Sequence, residues 1–196
     1  MKFKVFGIAF EISVPFAVMI AFLLLMDKTG LMSASLLAAL LHEGGHIIAM
    51  KLTKCAPKFI KCCPAGVLII GNSAQTAFVS AVIAFFGPMA NFIAGIGFYA
   101  CGRLSGYAGV YAFSAVQFIV GTVNMLPVKG LDGGTLTLEL LTALKLRSPG
   151  FAFSFISVFT AVATTVAGAA VAVRNTSNPS LLLLGIYLTV LHIMKR

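Results

Sequence analysis

The sequence predicts an all-α polytopic membrane protein, with about six transmembrane helices and a small interfacial β element. Three observations predict this class. The 196 residues are 60% hydrophobic and only 10% charged, whereas a soluble domain carries about 25% charged residues. The apolar residues fall into segments that approach the length needed to cross a bilayer as a helix. Lysine and arginine lie almost entirely in the gaps between these segments, as expected for charges that flank a membrane.

Six apolar segments are expected to form the membrane helices. They cover residues 12–26, 31–52, 74–101, 109–126, 151–173 and 181–194. The first segment is short, and the second contains three ionisable residues. Because no polar stretch is long enough to form a second, soluble domain, we expect a single domain over residues 1–196.

The connections between the segments predict the β element. Residues 3–13 combine aromatic and β-branched side chains, which favours an interfacial strand. A cleavable signal peptide is disfavoured there because Glu11 interrupts the apolar run. Residues 53–72 contain two prolines and several β-branched side chains, which predicts a hairpin at the membrane surface. Residues 135–146 have the spacing of an amphipathic helix that lies in the interface.

The basic residues predict the orientation of the chain. If the hydrophilic segments alternate between the two sides, eleven of the fourteen lysines and arginines fall on one side. The positive-inside rule places that side, with both termini, in the cytoplasm. The net charge of +9 is therefore interpreted as membrane-flanking charge. Nucleic-acid binding would require a basic face on a folded domain, which the sequence does not offer.

The second segment carries three ionisable residues within five positions, His42, Glu43 and His46, in LLHEGGHIIAM. Such residues are costly inside a membrane and indicate a functional site. Residues four apart face the same side of a helix, so the two histidines can hold one zinc ion. Glu43 lies one step round the helix, where it can act as general base in the HExxH pattern of zinc metalloproteases. The chain has only three histidines and five acidic residues, so this coincidence favours a metal site over a polar cluster satisfied by neighbouring helices.

A catalytic zinc site usually takes three protein ligands, so a third ligand is expected elsewhere in the chain. Asp132 is the strongest candidate because glycines flank it just after an apolar segment. Glu139 is the runner-up, although it fits the polar face of an amphipathic helix, and His192 fits a membrane interface. The cysteines lack CxxC spacing and are expected to be thiols in a reducing compartment. They are Cys55, Cys62, Cys63 and Cys101.

HEGGH together with NMLPVKGLDGG resembles the site-2 protease family of intramembrane metalloproteases, which pairs HExxH with a distant NxxPxxxLDG motif. Every fixed position of the second motif is matched, by Asn124, Pro127, Leu131, Asp132 and Gly133. GPMAN, at residues 87–91, resembles a GPxxN element of the intervening helix. The resemblance covers a three-helix metalloprotease core over about residues 31–134. The six-segment layout with cytoplasmic termini looks most like the branch typified by stage IV sporulation protein FB.

The resemblance implies a zinc metalloendopeptidase that holds one Zn²⁺ per chain through His42, His46 and Asp132. Its substrates would be membrane-embedded or membrane-tethered proteins, cut within or near transmembrane segments in regulated intramembrane proteolysis. The site would lie in a bacterial cytoplasmic membrane, near the cytoplasmic face. Asn91 and Asn124 are expected either to contact substrate or to bridge helices by hydrogen bonds. No CBS or PDZ domain is expected, so any regulation would come from a partner membrane protein.

Two other functions stay open from the residues alone. A metal-binding membrane transporter would use the same two histidines, but it would not need the third motif. A non-proteolytic pseudo-protease scaffold is disfavoured because all four catalytic positions are present. Gly44 weakens the second helix by up to about 1 kcal/mol relative to alanine, which predicts close packing of this stretch against a neighbouring helix.

Overall fold

The structure is a computed structural model, and it describes residues 1–5, 7–64, 66–71, 76–174 and 179–194. Within these ranges the chain forms seven α-helices and one four-stranded sheet. This confirms the expected polytopic all-α class with a small β element. The helices are α1 (Val14–Leu25), α2 (Leu31–Leu52), α3 (Ala77–Ser105), α4 (Ala108–Asn124), α5 (Asp132–Ala143), α6 (Pro149–Arg174) and α7 (Ser180–Met194). The strands are β1 (Lys2–Val5), β2 (Ile8–Ile12), β3 (Pro57–Cys63) and β4 (Gly66–Gly71).

The outer faces of the helices carry large apolar side chains. Leu104, Leu25 and Phe151 expose 90%, 79% and 78% of their surface, which suits contact with lipid better than contact with water. Helices α2, α3 and α6, with 22, 29 and 26 residues, are long and apolar enough to cross a membrane. The other three predicted segments form the shorter apolar helices α1, α4 and α7. Six crossings therefore stay a prediction.

Some expectations concern residues outside the described ranges. The third segment was expected to begin at Ala74, which lies outside them, and α3 begins at Ala77. Lys195 and Arg196, which contribute to the charge asymmetry, also lie outside them. The orientation with both termini in the cytoplasm stays a prediction.

Two compact units can be separated along the chain, residues 1–122 and residues 123–196. The first unit contains the sheet, helices α1 to α3 and nearly all of α4. The second unit contains helices α5 to α7. The single domain expected over residues 1–196 stays a prediction.

The sheet joins two hairpins that are far apart in the sequence. β1 pairs with β2 and β3 pairs with β4 in antiparallel fashion, while β2 and β3 pair in parallel. The β3–β4 hairpin confirms the hairpin expected in residues 53–72. Residues 3–13, expected to form one strand, form parts of two. The chain turns at Gly7, whose φ of +81° lies in the left-handed region that glycine adopts readily.

Glu11 forms ion pairs across the sheet. It lies in β2, with its carboxylate 3.5 Å from the Lys2 ammonium and 3.3 Å from the Lys61 ammonium. The hydrogen bond from Lys61 lowers the pKa of the Glu11 carboxyl, and the charge of Lys2 adds to this effect. Glu11 therefore links three strands by ion pairs at the exposed side of the sheet.

Helices α2 and α3 pack closely through small residues. A Cβ added at Gly45 would collide with the carbonyl oxygen of Phe86 and lie 2.9 Å from the Cβ of Ala90. A Cβ added at Gly44 would meet nothing within 4 Å. The close packing expected for HEGGH is therefore present, but it occurs at Gly45 and not at Gly44. This contact brings the HEGGH turn directly against α3.

The second unit is organised around the helical hairpin of α6 and α7. Its buried core consists of Val128, Leu131, Ala161 and Leu188. The first two of these residues belong to the connection between α4 and α5. Burial of a large apolar side chain contributes about 1.5–3 kcal/mol to stability. The burial of these residues therefore anchors that connection to the helical hairpin.

Helix α5 begins at Asp132, three residues before the helix expected over residues 135–146. The first turn therefore includes Gly133 and Gly134, although glycine is a poor helix former. The structure requires glycine at both positions. A Cβ at Gly133 would collide with the carbonyl of Met125, and a Cβ at Gly134 would collide with the carbonyl of Val128.

Candidate metal centre

Two histidine side chains converge on the inner face of α2. His42 and His46 lie one helical turn apart, and their Nε2 atoms are 3.1 Å from each other. The two rings meet edge to face, with centroids 4.7 Å apart. His42 is buried, with 6% of its surface exposed, and His46 is partly buried. The spacing of HEGGH therefore produces the convergence that it predicted.

The other nitrogen of His46 is held by α3. His46 Nδ1 lies 2.8 Å from the carbonyl oxygen of Ile83. A carbonyl oxygen can only accept a hydrogen bond, so Nδ1 must carry the proton and donate it. In the neutral imidazole this leaves Nε2 unprotonated, with its lone pair directed at His42.

His42 is held in the same tautomer by Asn91 of α3. His42 Nδ1 lies 2.7 Å from Asn91 Oδ1. The orientation of this amide is set by its other end, because Asn91 Nδ2 donates to the carbonyl oxygen of Ala38 at 2.9 Å. Asn91 Oδ1 is therefore the acceptor, and His42 Nδ1 is the donor. The lone pair of His42 Nε2 then faces the lone pair of His46 Nε2.

This arrangement fits a metal cation. In their neutral forms both Nε2 atoms are unprotonated, and at 3.1 Å from each other both can bind the same cation through their lone pairs. Histidine ligands of metals commonly donate their second N–H to a carbonyl or an amide, which fixes the ring orientation. Both histidines satisfy this condition through groups on α2's neighbour, α3.

Gly87 provides the space that the two rings occupy. A Cβ added there would collide with Cε1 and Nε2 of His46 and lie 3.0 Å from Cε1 of His42. Gly87 is buried on α3, opposite the HEGGH turn. It is the first residue of GPMAN, so the glycine of that element has a steric role and its asparagine has a hydrogen-bonding role.

Gln117 of α4 is a residue that sequence reasoning missed. It is fully buried, and its Oε1 accepts a hydrogen bond from Asn91 Nδ2 at 2.7 Å. A glutamine in the middle of an apolar segment was the available signal, because buried polar groups in a membrane require partners. Asn91 thus has the helix-bridging role that the sequence left open as the alternative to substrate contact. Asn124 ends α4 and is partly buried, and its contact with substrate stays a prediction.

Glu43 lies next to His42 on α2 and is partly buried. Strand β3 runs close to it. Burial raises the pKa of the Cys62 thiol, and the negative charge of Glu43 raises it further. Cys62 therefore stays protonated at neutral pH, which does not suit a zinc ligand because zinc binds the thiolate. The sheet accordingly reaches the neighbourhood of the proposed general base.

Asp132 is held at the first turn of α5, where a carboxylate is favoured by the helix dipole. The connection that precedes it is fastened to α6 by a hydrogen bond from Lys129 N–H to Ser157 Oγ at 2.9 Å. Ser157 Oγ also lies 2.8 Å from His192 Nδ1 on α7. His192 therefore supports this connection, and its expected position at a membrane interface stays a prediction.

His42 and His46 belong to the first compact unit, whereas Asp132 and Glu139 belong to the second. Glu139, the runner-up, lies two turns further along α5 than Asp132. Asp132 as the third metal ligand stays a prediction.

Comparisons with known proteins bear on the fold. No family model matches the sequence, and no curated protein matches it. Among solved structures, the fold is similar to that of the Site-2 Protease from Methanocaldococcus jannaschii. The two chains are 21% identical, and the similarity covers 100% of this chain and 95% of that chain with a TM-score of 0.62. The likeness shows that the two chains share a fold.

Proposed function

We propose that this chain is an intramembrane zinc metalloprotease of the site-2 protease family, closest to the branch typified by stage IV sporulation protein FB. One observation carries the proposal: His42 Nε2 and His46 Nε2 lie 3.1 Å apart, and the Nδ1 of each ring is held by a group on α3. The histidines lie on α2, which is apolar and long enough to cross a membrane. The fold shared with a site-2 protease supports the same function.

His42 and His46 would hold the zinc ion through Nε2, and Asp132 would hold it through its carboxylate. A zinc ion in such a site lowers the pKa of a water molecule towards 7 and polarises the carbonyl of the peptide bond. Three protein ligands leave a coordination position open, which is the arrangement of catalytic and not of structural zinc sites.

Glu43 would act as the general base. It follows His42 directly on α2, so its carboxylate lies about 100° round the helix from the ligands. It takes a proton from the attacking water and returns it to the nitrogen of the leaving amine. Its partly buried position keeps the carboxylate near the peptide bond while restricting access of bulk water.

The substrate must be extended before it can be cut, because a transmembrane helix satisfies all its backbone hydrogen bonds internally. β4 is an edge strand of the sheet, with Leu68 and Ile70 exposed. An unwound substrate segment could pair with this edge by strand augmentation. The neighbouring strand β3 carries Cys62, which is close enough to Glu43 to be influenced by its charge. If replacement of residues 58–71 by a flexible linker left cleavage unchanged, this binding mode would be wrong.

We expect single-pass or membrane-tethered proteins as substrates, in the regulated intramembrane proteolysis of a bacterial cytoplasmic membrane. The test uses purified, zinc-loaded chain reconstituted in phospholipid vesicles with a mixture of tagged single-pass membrane helices. Mass spectrometry should find products cut within the helices for the wild type and none for Glu43→Gln, with zinc retained in both. Zinc bound by both proteins without any cleavage would instead favour a transporter or a scaffold.

A further inference from the structure

Gln117 on α4 is buried at a position where an apolar side chain would pack at lower cost. It has 0% of its surface exposed, and within the described part of the chain its Nε2 has no hydrogen-bond partner. Leaving a buried N–H unpaired is destabilising. The one hydrogen bond that this side chain makes is accepted by Oε1 from Asn91 Nδ2. Packing alone therefore does not explain a glutamine here, whereas its acceptor oxygen does.

We infer that Gln117 is a positioning residue for the metal centre, which fixes the tautomer of His42 through Asn91. The inference rests on the proposed metal site. Asn91 Nδ2 has two hydrogens, and one is donated to Ala38 O and the other to Gln117 Oε1. The two acceptors together hold Asn91 Oδ1 towards His42 Nδ1, which lies 2.7 Å away.

The reversed amide shows why this matters. If Asn91 turned over, its Nδ2 would face His42 Nδ1, and that nitrogen would have to become the acceptor. The proton of the neutral ring would then lie on Nε2, where it would block metal binding. Reversal would also bring Asn91 Oδ1 against the carbonyl oxygen of Ala38, and against Gln117 Oε1 unless the Gln117 amide turned over too. Without Gln117, one of these two repulsions is lost and the metal-binding tautomer is less strongly favoured.

Two substitutions at this position separate the acceptor from the packing. Gln117→Met keeps the length of the side chain but removes the acceptor oxygen. Gln117→Glu restores an acceptor oxygen in either protonation state. Ser114→Ala is the matched control, since Ser114 Oγ donates to the carbonyl of Gly95 at 2.7 Å in the same pair of helices. That hydrogen bond is also buried, but it does not involve Asn91.

The first experiment measures the zinc dissociation constant of each variant in detergent, by competition with a chelator, in a Glu43→Gln background that prevents self-cleavage. Gln117→Met should weaken zinc binding by about 10–100-fold, the usual effect of removing a partner that orients a ligand. Gln117→Glu and Ser114→Ala should bind zinc as the parent does. Equal weakening in Gln117→Met and Ser114→Ala would show that helix packing is responsible and would overturn the inference.

The second experiment does not depend on the folding of a variant at position 117. The chain has only three histidines, so a His192→Gln variant identifies the His192 signals in the imidazole ¹⁵N NMR spectrum of the metal-free parent, and the other signals belong to His42 and His46. Both of these rings should carry their proton on Nδ1, and a proton on Nε2 alone in either ring would overturn the inference. Normal zinc binding in Gln117→Met would refute the role of Gln117 alone, whereas a parent that binds no zinc would refute the proposed metal site as well.

Discussion

Two pairs of helices in this chain pack backbone against backbone, yet they use their glycines and polar side chains differently. In the pair α2 and α3, Gly45 leaves space for the backbone of Phe86, while Gly87 leaves space for the rings of two histidines. In the pair α6 and α7, Gly168 and Gly185 mainly leave space for backbone, with Leu182 Cα and Thr165 Cα each 2.5 Å from the added Cβ, and the Thr165 hydroxyl also lies close to Gly185. In the first pair a glycine therefore leaves space for the histidine rings of the candidate site, whereas in the second pair the glycines only allow the helices to pack closely.

The polar side chains of the two pairs also differ. In α6 and α7, three threonine hydroxyls donate to carbonyls of their own helices, those of Thr164, Thr165 and Thr189. Two contacts cross this pair, Thr165 Oγ1 to Thr189 Oγ1 at 3.4 Å and Ser157 Oγ to His192 Nδ1 at 2.8 Å. In α2 and α3 the bonds between the helices involve the candidate site itself, from His46 to Ile83 O and from Asn91 to Ala38 O. Bonds between helices fix the register of the pair, and a metal site needs that register to be correct.

The largest expected effect is that of Gly87→Ala. The new methyl group would occupy space held by the His46 ring, so the two Nε2 atoms could not converge and zinc binding should be lost. Gly168→Ala is the matched variant in the other helix pair. It should lower the free energy of unfolding by about 1–3 kcal/mol through overpacking, with zinc retained. Zinc content and thermal unfolding in detergent measure the two effects. Normal zinc binding by Gly87→Ala would contradict the different roles assigned to the glycines of the two helix pairs.

A smaller effect is expected for Asn91→Ala. The change removes the acceptor that holds His42 Nδ1, and zinc affinity should fall by about 10–100-fold. Thr164→Val removes a hydroxyl that donates to Thr160 O of its own helix, so its zinc affinity should equal that of the wild type. Chelator competition on both variants measures the difference, and equal affinities would contradict the importance of bonds between helices.

Ser157→Ala should act on stability more than on the metal. The change leaves the N–H of Lys129 without its acceptor and removes the partner of His192 Nδ1. An unpaired buried backbone donor costs about 1–3 kcal/mol, so the unfolding midpoint should fall. Because the apolar core around Val128 still anchors the connection before Asp132, zinc affinity should fall less than in Asn91→Ala. An unchanged midpoint would show that this serine does not fasten the connection.

The smallest effect concerns Asp27, which lies before α2 and far along the helix from HEGGH. Its carboxylate accepts hydrogen bonds from Ser33 N–H and Ser33 Oγ, both at 2.8 Å, and these lower its pKa to about 2 from a normal 3.8. A lowered pKa stabilises the folded state above the unfolded value, and this contribution is lost as the pH falls from about 5 towards 2. Asp27→Asn should flatten that part of the stability profile, measured by thermal unfolding, without changing zinc content. A change in zinc content would link the helix start to the site.

Much of the first helix pair could be predicted from the sequence because its signals are local. HEGGH has a helical spacing that places His42 and His46 together, and GPMAN marked the residues that face them. Gln117 was missed because its partner is on another helix, and neither periodicity nor spacing identifies hydrogen bonds between helices. The parallel pairing of β2 with β3 was missed for a similar reason, since two helices separate these strands in the sequence.

The glycines show where local propensity misleads. Gly133 and Gly134 lie in the first turn of α5, although glycine disfavours a helix when no neighbour is considered. In the fold they lie against the carbonyls of the preceding connection, where no other residue fits. The sequence predicted close packing of the HEGGH stretch, but not that Gly45 makes the contact and Gly44 does not. The face of a helix that meets a neighbour depends on tertiary structure, which composition does not report.

The most direct test of the metal centre is the zinc content per chain of four purified proteins: wild type, His46→Ala, Asp132→Asn and Glu139→Gln. Glu139 is the matched control because it is the other carboxylate of α5. We predict about one zinc ion per chain in the wild type and in Glu139→Gln, and loss or strong weakening of zinc binding in the other two. A folded wild type without zinc, or full zinc content in Asp132→Asn, would contradict the assignment of His42, His46 and Asp132 to one site.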